Sequence, residues 1–335
     1  MSRLPPGFGS WRAAVLGGVL LVPLLAGVGA GEDNIGQGPL RVPGQSLFQG
    51  FRLGLVPWCE KPIEKGEFEL GTAATWVNLW AWKTRRYLVD GETVRMRGTL
   101  AYGLSRRLQL RLEVPLTLRT GGIMDSFAEG FHGTLGLFNA YKEDFPRNQF
   151  RVVFYAPEGG EYRLDSRDTG LFLGDLVLSL KAHLFAGSRV LPAVILGADM
   201  KVPTGFLEDS GVDAGGNLFL AKRVWRLYGY LGIQFNYCSR DRVLGIRLNH
   251  EQGGLLFGLE APLAERFSLL LQGIVHTGVA RDFYEFSEAT YEVSLGGKFR
   301  ILQKTFLEFG LLENLINYDN SADFGFHFGV AHRFH

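Results

Sequence analysis

Long apolar runs are scarce in this chain. After Ala30 no stretch reaches the roughly 18 consecutive apolar residues that mark a membrane-crossing helix, so the mature chain crosses no bilayer as a helix. Cysteine is nearly absent: Cys59 and Cys238 are the two present, too few for a disulfide-built scaffold. Neither sign of charge dominates, with Lys+Arg 35 against Asp+Glu 34, and the lack of a basic surplus argues against nucleic acid as a partner. No His/Cys/Asp cluster has metal-ligand spacing, and no serine sits in a G-x-S-x-G elbow. Glycine (45 residues) and aromatics (13%) are plentiful, and that pairing suits an all-β protein with many tight turns.

The first thirty residues have the build of a secretory signal peptide. Arg3 and Arg12 supply a positive start, and Ala13 to Ala26 form an apolar stretch broken by glycine and Pro23. Val28 and Ala30 stand where a signal peptidase wants small residues before Gly31. An anchor helix is the alternative, disfavoured because the run is short for a span. No cysteine follows the cleavage point directly, which argues against a lipoprotein.

From Phe68 onward, side chains alternate in character. The stretch RLQLRLEVPLTLR (Arg107 to Arg119) places Leu108, Leu110, Leu112, Val114, Leu116 and Leu118 on one face and charged or polar residues on the other. Side chains on a strand alternate faces, so this is one strand with an oily side and a charged side. The same pattern recurs near residues 68–82, 94–104, 176–183, 190–202, 213–220, 227–237, 255–260, 267–276, 291–300, 307–311 and 324–334, giving twelve strands. Many exceed the usual five or six residues of a soluble strand and match the about nine to eleven that a tilted membrane strand needs. The predicted fold is a transmembrane antiparallel up-and-down β-barrel over residues 66–335.

Connection lengths alternate too. Tight turns fall near Ser105, Gly187, Val224, Ala264 and Gln303. Longer polar segments fall at Lys83 to Glu92, Thr120 to Gly170, Pro203 to Gly211, Ser239 to Glu251, Ala280 to Glu288 and Asn317 to Asp323. Short turns at one rim and long loops at the other describe an outer-membrane barrel. Phe150 to Tyr155 and Tyr162 to Leu164 form a further short hairpin; counted in the wall it would make fourteen strands, but its length places it in the long external loop at 120–170. Residues 31–65 read as a periplasmic extension or a partial plug. The aromatic last strand, DFGFHFGVAHRFH, is similar to the terminal signal of many outer-membrane proteins, although His335 follows Phe334. It implies the barrel assembly machinery as a partner, with outer-membrane lipid and lipopolysaccharide around the wall of a Gram-negative cell.

Several segments together carry a resemblance: GPLRVPGQ (Gly38 to Gln45), RTGGIMDSFAEGFHGTLGL (Arg119 to Leu137), RNQFRV (Arg147 to Val152), TGLFLGDLVLSLK (Thr169 to Lys181), KVPTG (Lys201 to Gly205) and LEFGLLENL (Leu307 to Leu315). They resemble a proteobacterial family known as domain of unknown function 3187. The resemblance spans nearly all of the mature chain, implies an outer-membrane protein, and supplies no catalytic or binding residues.

Chemistry must then come from the residues. The seven histidines, His132, His183, His250, His276, His327, His332 and His335, are scattered, and His250 in an external loop has no nucleophile beside it. Asp125 with Glu129 could meet calcium but reads better as solvated charge. Cys59 ahead of the first strand and Cys238 at an external strand end lie a wall of roughly 25 Å apart, far beyond disulfide reach unless the N-terminal segment threads the lumen. Trp76, Trp80 and Trp82, with Phe324, Phe326 and Phe328, are candidates for the aromatic girdle. No cofactor and no enzyme activity is expected.

The remaining signal is the inward face. Its basic candidates are Arg95, Arg97, Arg111, Arg119, Lys181, Lys201, Lys298, Arg300 and Arg333; its acidic candidates are Glu113, Asp175, Asp199, Asp213, Glu260, Glu292 and Glu308. They either line a water-filled passage or pair to seal a narrow barrel. Passage of a small polar or amphipathic solute is the first reading, since twelve strands exceed what side chains alone readily fill. A closed structural or assembly barrel is the second, and a lipid-modifying enzyme at the outer rim the third. N-terminal sequencing of the exported protein should begin at Gly31; a chain still starting at Met1 would remove the export argument.

Overall fold

The computed structural model describes residues 34–127, 130, 144–156, 159–204, 211–316 and 318–335. The expected signal peptide lies outside these residues, as do Glu129, His132 and Gly205. Among the described residues no helix is long and apolar enough to cross a membrane.

Alternating side chains build the strands in chain order. The first three are β1 (Phe68–Lys83), β2 (Tyr87–Gly103) and β3 (Leu108–Thr120). Within the long loop lie β4 (Arg151–Tyr155), β5 (Glu161–Leu164) and β6 (Gly170–Leu173). Then come β7 (Leu176–Phe185), β8 (Ala193–Val202), β9 (Asp213–Val224) and β10 (Leu227–Cys238). Two dipeptide strands, β11 (Arg242–Val243) and β12 (Ile246–Arg247), make a small hairpin of their own. The chain finishes with β13 (Glu251–Ala264), β14 (Phe267–His276), β15 (Thr290–Leu302), β16 (Thr305–Ile316) and β17 (Phe324–Phe334).

Each of the twelve long strands pairs antiparallel with its neighbours, and β17 returns to β1 from Phe68↔Phe334 to Asn78↔Phe324. The barrel is therefore closed, with no free edge around its lower wall, which is what a bilayer demands of a sheet. One residue parity on each strand faces out. Leu70, Leu100, Leu110, Leu178, Leu196, Phe235, Phe257, Leu271, Leu295 and Phe309 are exposed there and form an apolar belt. The opposite parity is buried even where it is charged, as at Arg97, Arg111, Lys181, Lys298 and Glu308.

Two features of the wall depart from the sequence expectation. Lys83 to Glu92 is not a longer polar loop: β1 and β2 continue to Lys83↔Tyr87 and turn tightly, because Leu88 and Val89 keep the alternation going. β4 then takes over the edge of β2 above the point where β3 ends, pairing Tyr87↔Phe154 to Asp90↔Arg151. The second departure is at Pro115. β6 and β7 are successive partners of β3, separated by Gly174 and Asp175, and Gly174 N–H bonds to Pro115 O at 2.8 Å. Proline has no N–H to offer, so the ladder slips by one residue there.

The long-loop rim is roofed by apolar side chains. Val77, Leu79, Tyr87 and Val89 of the raised hairpin pack with Phe150, Val152 and Phe154, and with Ile246, Leu248, Val279, Phe283 and Phe286 of other loops. Phe154 meets Phe283 and Phe286 edge-on at 5.3 and 5.7 Å between ring centroids.

Leu112 tests the assignment of faces. It is paired with Leu100 and Leu178 on the outward parity. Leu112→Arg should lower stability by about 2 to 4 kcal/mol in equilibrium unfolding from lipid vesicles, the cost of an arginine near the bilayer midplane. A loss well under 1 kcal/mol, by the same depth-dependent scale roughly that of an interfacial site, would mean that lipid does not cover this face.

Candidate functional site

Residues 34–67 run inside the barrel. The segment begins at the short-turn rim, where Asn34 Nδ2 donates to Ser188 O (3.1 Å) and Asn34 Oδ1 accepts from Arg223 N (3.2 Å). It rises past Glu260, whose carboxylate accepts from Gln37 N (3.0 Å), Gly38 N (3.2 Å), Tyr230 Oη (2.6 Å) and Ser268 Oγ (2.7 Å). Higher up, Glu292 accepts from Gln45 N at 2.9 Å, and Arg95 donates to Gly44 O (3.3 Å) and Ser46 O (2.9 Å). The apex is a 3-10 turn, Phe48–Phe51, whose Phe48 ring enters the apolar roof.

The chain then descends. Asp213 accepts from Leu53 N (2.9 Å), Lys201 donates to Phe51 O (2.9 Å), and Gln234 and Asn236 donate to Gly54 O and Leu53 O. Trp58 lies under Lys181 (4.1 Å from Nζ to the ring centroid) and Arg111 (5.2 Å). At the bottom Gly103 N donates to Glu67 O at 2.9 Å. A methyl group at Gly103 would fall 2.1 Å from Glu64 O, so only glycine lets wall and segment approach this closely. At Gly36 a Cβ would sit 2.4 Å from Glu260 Oε2, so a larger residue there would have to displace that carboxylate.

Ion pairs cross-link the two limbs and the wall. Arg41 on the rising limb reaches Glu60 on the descending limb (2.5 Å) and Glu69 of β1 (2.7 Å), and Glu69 also takes Arg333 (2.8 Å). Lys298 pairs with Glu308 (3.2 Å), which His327 Nε2 also meets at 3.0 Å. Lys201 bridges Asp175 (3.0 Å) and Asp213 (3.2 Å). Glu113 lies 2.9 Å from Arg111 and 3.5 Å from Arg97, while Arg97 also donates to Arg41 O. Asp199 takes Asn217 Nδ2 at 2.5 Å. Buried charge is costly unless partnered, and here nearly every inward carboxylate has a partner.

The inward candidates thus gather around one occupied lumen, except that Arg119 sits at the upper rim with its guanidinium 4.6 Å from the Phe172 ring centroid. Among the described residues Arg300 has no carboxylate within ion-pair distance, and the same holds for Arg95, Arg119 and Lys181, whose Nζ is buried without a hydrogen bond. Cys59, expected at the periplasmic rim, is instead buried inside with Leu55, Ile195 and Phe219, because the segment carries it inward. Both cysteines are free.

The aromatic candidates separate. Phe328 is exposed on the outer face, whereas Trp80 and Phe324 are buried. Phe145 packs on Trp80 and Trp82 at 5.0 and 5.3 Å, and Phe127 on Phe324 and Phe326 at 5.4 Å each. Trp76 Nε1 donates to Glu92 at 2.6 Å. Glu92 is an outward carboxylate on β2, and Met124 N from the long loop covers it. At the long-loop rim, Tyr87 Oη of β2 reaches both Glu285 (2.8 Å) and Asp319 (2.6 Å). Burial pushes the Asp319 carboxyl up; Glu285 lies below the usual range despite its burial, because Lys83 bonds to it. Among the described residues no group of three or more His, Cys, Asp or Glu could hold a metal ion.

Sequence reasoning missed Arg41, Glu60, Trp58 and Tyr230. Glu69 was available from alternation, since it opposes Phe68 and Leu70. Arg41 and Glu60 lie in a stretch without a period, and nothing local marks them.

A model of the family described as protein of unknown function (DUF3187) matches residues 22–334. The chain belongs to this family. Among curated proteins no relative matches. Of solved structures, the COG4313 outer membrane channel from Pseudomonas putida F1 is similar with a TM-score of 0.54 at 12% identity, over 82% of this chain and 97% of that one. The NanC porin follows at a TM-score of 0.45 and 7% identity, covering 79% and 98%. The translocator domain of the autotransporter NalP from Neisseria meningitidis gives 0.41 and 10%, covering 81% and 90%. At such identities the first likeness is one of fold, that of an outer-membrane barrel, and the weaker two add nothing to it.

For this DUF3187 chain, Glu260 is the residue whose loss should loosen the segment most directly. Charge-assisted hydrogen bonds are worth about 1.5 to 3 kcal/mol each, so Glu260→Ala should speed amide exchange at Gln37 and Gly38 by at least about tenfold. Unchanged protection, read by hydrogen–deuterium exchange, would mean that other contacts hold the segment.

Proposed function

We propose that this protein is an outer-membrane channel for small polar or amphipathic solutes, closed in the described state by its own residues 34–65. Supporting this is one observation above others: the lumen is filled by a separate stretch of chain rather than by side chains of the wall. A narrow barrel seals itself with its own inward residues. Here Glu260, Glu292 and Asp213 instead hold backbone N–H groups of the segment. Water can replace such bonds at modest net cost, so the segment is a plug that can shift. In this reading the protein is exported by its signal peptide, inserted through recognition of its last strand by the assembly machinery, and has no catalytic task.

The aromatic roof favours a second reading, a permanently closed structural barrel. It buries Phe48 at the segment's apex and covers the external mouth. Single-channel recording in planar bilayers separates the two. The wild type should be mostly closed with brief openings, and Glu260→Gln with Glu292→Gln should lengthen the openings severalfold. If the double variant still shows the heat-modifiable migration of a folded barrel yet never conducts, the structural reading takes over.

A further inference from the structure

Between the plug and the wall at the short-turn rim lies a cavity of about 240 Å³. It opens beside the exposed Lys61 and Gln303 and reaches inward to Arg97 and Arg111. Its lining is electrically lopsided: seven basic side chains stand against two carboxylates, Glu60 and Glu308. Glu69 and Glu113 pair with lining arginines from behind; with them counted and the exposed Lys61 left aside, six cations face four carboxylates, a surplus of two.

The surplus is not spread evenly. Arg300, as noted, has no carboxylate partner, and its Nε is buried without a hydrogen bond. Arg97 Nη1 makes no hydrogen bond either, although Glu113 Oε2 stands 3.5 Å away as an ion-pair partner, and the whole residue is 5% exposed. Arg300 and Arg333 lie on the Phe306 ring, at 5.9 and 5.7 Å from its centroid. Buried donors that lack acceptors carry a standing desolvation cost, which an incoming anion would remove. Guanidinium groups offer the paired N–H geometry that a carboxylate accepts.

We propose that this chamber binds a small organic anion with one or two carboxylates and a short apolar body, with Arg300 as its first contact and Phe306 beneath the apolar part. The inference rests on the channel reading for its purpose, as the loading site on the periplasmic side of the plug, but not for its chemistry. The anion would also compete with Glu60 and Glu308 for Arg41 and Lys298, and so would draw on the same ion pairs that hold the plug.

Isothermal titration of the folded, detergent-purified full chain with succinate tests it, with uncharged succinamide as the matched control. Succinate should bind once per chain and more weakly as salt rises, since screening acts on exposed and partly exposed charges. Succinamide should not bind. Arg300→Gln should weaken succinate by about tenfold, and Arg300→Lys should restore part of the loss. Equal heats from succinate and succinamide, no binding of succinate at millimolar concentration, or an Arg300→Gln variant that binds like the wild type would each overturn the site. Conductance reports separately: binding without any channel activity would refute the passage and leave the site, and channel activity without binding would do the reverse.

Discussion

A carboxylate buried in a barrel lumen must find donors, and this structure is arranged around that demand. Glu260 takes two backbone N–H groups, a tyrosine hydroxyl and a serine hydroxyl at once. Two of those donors belong to the plug and two to the wall, so a single desolvated charge fastens one to the other. Glu292 and Asp213 do the same higher up. The plug in turn has no sheet to satisfy its own backbone; without these side chains its N–H and C=O groups would be buried unpaired. Each half of the arrangement therefore supplies what the other lacks, and neither would be stable in a dry lumen alone.

Polar fastening has a mechanical consequence. An apolar core of the same size would resist water, whereas ion pairs and hydrogen bonds can be exchanged for solvent or for a competing anion. Arg41 is the point where this matters most, since it ties rising limb, descending limb and β1 together through Glu60 and Glu69. The apolar contacts are kept for the roof at the long-loop rim, where Phe48 meets Phe154 and Phe286. The segment is thus gripped by aromatic packing at its apex and by charge along its limbs, which makes the half at the short-turn rim the easier one to loosen.

Most of the wall was legible beforehand. Period-two alternation placed Arg97, Arg111, Lys181 and Glu308 on the inner face and Leu100, Leu112 and Phe309 on the outer one, because face is a property of a residue and its immediate neighbours. Alternation also has a limit, visible at Glu92. By parity it points outward, but the long loop folds over the outside of the wall there, and the Met124 N–H and the Trp76 indole N–H donate to its carboxylate. The turn at Lys83 to Tyr87 was misjudged for a related reason: polar residues near a strand end look the same whether the strand stops or rises above the rim.

The candidate site was legible only by half. Its wall side could be read residue by residue, while its other side, Gln37, Arg41, Trp58 and Glu60, could not. Sequence by itself determined an all-β barrel with twelve long strands, an apolar outside and a charged inside, since each follows from a local repeat. What fills that inside was decided by tertiary structure alone. The contacts that place the segment, such as Gln37 with Glu260 and Gln45 with Glu292, join residues more than two hundred positions apart and leave no period in the chain. They exist because a lumen too wide for its own side chains, lined with charge and shielded from water, is stabilised by whatever nearby polymer can partner it.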